Sequence, residues 1–61
     1  MRKTTYWIEN SNALDSTLEH IATTFPCWVN RKYVEMDYSA ITIEARQEDM
    51  TSIENILAPL M

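Results

Sequence analysis

The sequence predicts an α+β fold of β-α-β-β-α order, a three-stranded sheet with two helices packed on one face. Three observations predict it. Two segments carry apolar residues at helical spacing, three short segments alternate at the two-residue period of a strand, and 61 residues allow one domain with one thin layered core. The whole chain, 1–61, is therefore read as a single small domain.

The first strand is Thr4 to Glu9, rich in β-branched and aromatic residues. Alternation puts Thr4, Tyr6 and Ile8 on one face and Thr5, Trp7 and Glu9 on the other. Asn10-Ser11-Asn12 supplies turn and N-cap chemistry, because short polar side chains accept from the free amides of a first helical turn.

From Ala13, the apolar residues Leu14, Leu18, Ile21, Ala22 and Phe25 form one stripe of an amphipathic helix. Asp15 lies in its first turn, where the helix dipole favours a carboxylate. Pro26 stops it, since proline disfavours helix in the preceding residue.

Cys27 to Lys32 reads as an irregular connection. Val34, Met36 and Tyr38 then alternate with Tyr33, Glu35 and Asp37 as a half-buried second strand. After a break at Ser39-Ala40, Ile41 to Arg46 alternates as the third, with Ile41, Ile43 and Ala45 inward. The chain has no glycine, so a two-residue Asn-Gly turn is unavailable and a longer loop around a type I turn is expected. The last segment, Gln47 to Ala58, opens with Glu48 and Asp49 and carries the stripe Met50, Ile53, Ile56, Leu57 and Leu60, with Pro59 ending the regular helix.

Composition narrows the function classes. Nine carboxylates against five cations give a net charge of −4, which argues against direct nucleic-acid binding and suits a protein partner. One cysteine rules out an internal disulfide. The start Met1-Arg2-Lys3 lacks the apolar core of a signal peptide, and no apolar run approaches the ~20 residues of a membrane span, so a cytoplasmic protein with no membrane contact is expected.

No residue pattern points to catalysis, a metal or a cofactor. His20 is the only histidine and reads as a helix surface residue; Cys27 reads as a structural thiol. One Cys and one His fall short of a metal site, and the glycine-free sequence lacks the usual phosphate loops. The doublets Arg2-Lys3 and Arg31-Lys32 read as solvated faces or salt bridges.

Binding is the remaining class. If the helices cover Tyr6, Ile8, Val34, Met36, Ile41 and Ile43, the open face of the sheet carries Thr5, Trp7, Tyr33, Glu35, Thr42 and Glu44. Trp7, Tyr33, Glu35 and Glu44 are the candidate partner-binding residues there, because aromatic side chains dominate binding hot spots. The simpler alternative is that the aromatics only stiffen the sheet as a cross-strand pair.

The helix ending in Phe25-Pro26, the run Tyr33-Val34-Glu35-Met36-Asp37-Tyr38, the strand Ile41-Thr42-Ile43 and the final helix opening Gln47-Glu48-Asp49 together resemble the DinI-like damage-inducible proteins over residues 13–58. The resemblance implies a modulator of RecA filaments in the DNA-damage response, binding the recombinase through an acidic ridge on the last helix. Carried onto this chain, that ridge is Glu48, Asp49 and Glu54. Two alternatives stand beside it: a phage- or plasmid-type inhibitor that grips a host enzyme, nuclease or toxin through the aromatic sheet face, and a homodimeric structural module.

Overall fold

A computed structural model describes residues 1–61. Its elements are β1 (Arg2–Glu9), α1 (Asn12–Thr24), β2 (Cys27–Tyr33), β3 (Tyr38–Ala45) and α2 (Gln47–Leu57), closed by a 3-10 turn over Ala58–Leu60. The β-α-β-β-α order and the α+β class are as the sequence predicts. The sheet order is β1-β3-β2, with β3 central and antiparallel to both neighbours. β1 and β2 are thus parallel to each other with β3 between them, and α1 carries the chain from one edge to the other.

Ten buried residues form one core: Ile8 from β1, Ile41, Ile43 and Ala45 from β3, Leu14, Leu18 and Ile21 from α1, and Met50, Ile53 and Leu57 from α2. Both helices therefore cover the same face of the sheet. Ala22, expected in the α1 stripe, is exposed at its margin. Ser11 caps α1: its Oγ accepts from the Leu14 amide at 3.0 Å. At the other end, Phe25 turns extended before Pro26 while its amide still donates to the Ile21 carbonyl. No helix is long and apolar enough to cross a membrane.

The second strand departs from expectation. It occupies Cys27–Tyr33, the segment read as an irregular connection, while Val34–Asp37 form the hairpin loop. Met36, expected inward, is 94% exposed at the loop, and Ser39, expected in a break, is a wholly buried residue of β3. Turn chemistry explains the shift. A strand over 34–38 joined through Ser39-Ala40 needs a two-residue turn with positive φ, which is costly without glycine. A four-residue loop avoids it: the Tyr38 amide donates to the Glu35 carbonyl, and no residue in the chain takes positive φ. The earlier strand also sets Cys27 and Val29 opposite Ala45 and Ile43, which brings the apolar side of β2 to the helices.

Candidate protein-binding surface

The face of the sheet turned away from the helices is uncovered, and its residues follow from the register. One cross-strand row reads Lys3, Glu44, Trp28; the next Thr5, Thr42, Asn30; the third Trp7, Ala40, Lys32. Beyond the third, Glu9 stands opposite Tyr38. Trp7 and Trp28 are 60% and 53% exposed and lie at diagonally opposite corners. Between them the Thr5 and Thr42 hydroxyls share a hydrogen bond at 3.0 Å. Large aromatic rings standing on a floor of small polar side chains make a surface that a partner can fill with apolar contacts.

Of the expected open-face residues, Trp7 and Glu44 are there, with Thr5 and Thr42. Tyr33 and Glu35 are not. Tyr33 pairs with the buried Ser39 and so has the helix-side orientation, where its ring lies 4.7 Å from the Arg31 guanidinium carbon. Glu35 lies in the hairpin loop. Both placements follow from the position of β2 at Cys27–Tyr33, displaced from the expected one. The same displacement hid Trp28 and put Tyr38 inward, whereas Tyr38 shares the open face with Ala40 and Thr42. The signal for Trp28 was present in Cys27-Trp28-Val29, a run of strand-favouring residues directly after a helix-stopping proline.

Charge is divided unevenly between the two sides. The open face carries Lys3 and Lys32 against Glu9 and Glu44 and is neutral; the remaining three cations and seven carboxylates hold the whole −4.

The acids expected to form a ridge on the last helix are largely engaged within the chain. Arg46 Nε lies 3.4 Å from Glu48 Oε1 and 3.0 Å from Asp49 Oδ2. The Glu48 side chain stays 71% exposed, but that of Asp49 only 16%. Glu54 accepts a hydrogen bond from the Tyr6 hydroxyl at 3.2 Å. Burial, with the Glu54 hydrogen bond and charge behind it, raises the Tyr6 pKa, so the phenol keeps its proton and holds Glu54 to the sheet.

Several polar residues outside this surface are engaged in internal bonds. Cys27 is half-buried and donates to the Ile21 carbonyl at 3.7 Å; burial, then the Asp49 charge, pushes its thiol pKa up, away from a reactive thiolate. His20 is exposed on α1, with Nδ1 3.4 Å from the Thr24 hydroxyl. No three His, Cys, Asp or Glu residues converge as a metal site. The Arg31-Lys32 doublet is split by the pleat: Lys32 faces out on the open face, whereas Arg31 turns to the helix side and donates to Asp15, Asn10 and Ser39.

Comparison with protein-family models, with curated proteins and with solved structures yields no match to this chain.

Proposed function

We propose that this protein is a small, non-catalytic protein-binding regulator whose working surface is the open sheet face, with Trp7 and Trp28 as its anchors. The observation that carries this reading is the exposure of two tryptophans on one uncovered face. Exposed indole rings leave apolar area in water that a partner would remove, and tryptophan is prominent among residues whose truncation costs a complex most. An inhibitor of a host enzyme, nuclease or toxin would use the face in this way.

The second reading is the DinI-like one, in which Glu48, Asp49 and Glu54 contact a RecA-type filament. It is favoured by the location of the whole −4 away from the open face, a field suited to a basic groove. The internal partners of Asp49 and Glu54 count against it.

One comparison separates the two. The wild type, Trp7→Ala/Trp28→Ala and Glu48→Lys/Glu54→Lys serve as baits for purified RecA filaments and for a bacterial lysate. Loss of a captured protein from the tryptophan variant alone supports the sheet face. Undiminished capture by that variant sinks it. Binding to RecA that is lost on charge reversal supports the second reading instead.

A further inference from the structure

The geometry points to a second copy of this chain as the protein that occupies the open face, packed sheet against sheet. This rests on the reading of that face as the working surface and names its occupant.

Charge is the first ground. Two copies of a −4 chain repel wherever their acidic sides meet, but the open face is neutral and opposes no such contact. The second ground is the placement of the residues. Lys3 and Trp7 stand in the first and third rows on β1, and Trp28 and Lys32 in the first and third rows on β2, so that lysine and tryptophan run in opposite senses. A two-fold axis lying in the face and running across the strands therefore sets Lys3 over Trp7 of the second copy and Lys32 over its Trp28. Each pair is repeated by symmetry, as an isologous contact requires. An ammonium over an indole face is a favourable cation–π contact.

The same axis sets Glu44 over Ala40, so the one carboxylate on the central strand meets a small neutral residue. The other in-plane axis, along the strands, also pairs lysines with tryptophans but sets Glu44 against Glu44. It is the disfavoured arrangement. Antiparallel strands in two facing sheets satisfy the aligned mode of sheet packing, with the sheets about 10 Å apart.

The area sets the strength. Three strands about 4.8 Å apart and seven residues at about 3.3 Å each give a flat footprint of roughly 330 Å². That is less than half of the about 800 Å² per partner that is standard for specific interfaces. The dimer is accordingly a weak one that dissociates on dilution.

Sedimentation velocity on the full chain from about 5 µM to 1 mM tests this, with Trp7→Ala/Trp28→Ala and Lys3→Glu/Lys32→Glu alongside and far-UV circular dichroism to establish that each is folded. The expected result is a monomer–dimer equilibrium in the wild type. Both variants should be monomeric throughout, the first because the rings are gone and the second because the faces become like-charged. A wild type that stays monomeric to 1 mM overturns the inference, as does a dimer that survives in either folded variant. If the wild type is monomeric and its capture of another protein still depends on Trp7 and Trp28, only the second copy is excluded and the open face stands as the working surface. If that capture is also indifferent to both tryptophans, the reading beneath it fails too.

Discussion

Arg31 on β2 reaches Asp15 in the first turn of α1, with Nη1 2.5 Å from Oδ1. Its Nη2 donates to Asn10 Oδ1 at 2.9 Å and its Nε to the buried Ser39 Oγ at 3.2 Å, while Ser39 donates to the same Asn10 oxygen. One guanidinium thus joins the end of β1, the start of α1, an edge strand and the central strand, and no buried side-chain polar atom is left without a partner. The planar fork is what allows several acceptors to be served at once.

Arg31→Met keeps the aliphatic stem and removes those donors. The expected loss is about 2 kcal/mol in urea denaturation, the scale of hydrogen bonds to a charged group. Arg31→Lys should recover only part of it, because an ammonium lacks the fork. A loss under about 0.5 kcal/mol for the Met variant would mean that the network is solvated and carries no stability.

Met36→Asp tests the position of the hairpin loop. With Met36 94% exposed, the change should alter stability by no more than about 0.5 kcal/mol. In the register suggested by the alternation of Val34, Met36 and Tyr38, the same substitution would place a carboxylate in the core and unfold the chain. Thermal melts of the two proteins decide between these outcomes.

That residue also marks the limit of what the amino-acid pattern discloses. Both helices were legible to within a residue or two, because Ser11, Pro26 and Pro59 punctuate stripes of Leu and Ile that have no competing period. β1 was legible for a related reason: Tyr6 and Ile8 alternate cleanly with Thr5 and Trp7. Between Pro26 and Ile41, however, the clean alternation of Val34, Met36 and Tyr38 competes with the less regular run Cys27–Tyr33 that forms the strand. Only the turn geometry available to a glycine-free chain selects one of them. Half of the candidate site went astray with that choice. Trp7 and Glu44 lie on strands whose alternation admits a single phase, whereas the placement of Trp28, Tyr33 and Glu35 depends on the hairpin.

Ser11→Ala removes the side-chain acceptor of the Leu14 amide and should cost about 1 kcal/mol, with Ser11→Asp retaining most of the stability. The readout is the urea midpoint at constant slope. An alanine variant as stable as the wild type would show that water satisfies the first turn of α1 equally well.

Stability should also fall in alkali. Cys27 and Tyr6 both have pKa values raised above the ordinary 9.0 and 10.0, in each case chiefly by burial. As pH rises through 9.0 and then 10.0, the unfolded chain releases these protons while the native state retains them. The unfolded state then binds fewer protons, so the free energy of unfolding decreases with pH. The contribution is complete below the ordinary values and is lost as pH climbs through the raised native ones. Tyr6→Phe should remove the part of the decline that sets in near 10.0, and Cys27→Ala the part that sets in near 9.0. Urea titrations from pH 7 to 11 on the three proteins check this. If both variants decline as steeply as the wild type, the alkaline loss does not come from Tyr6 and Cys27.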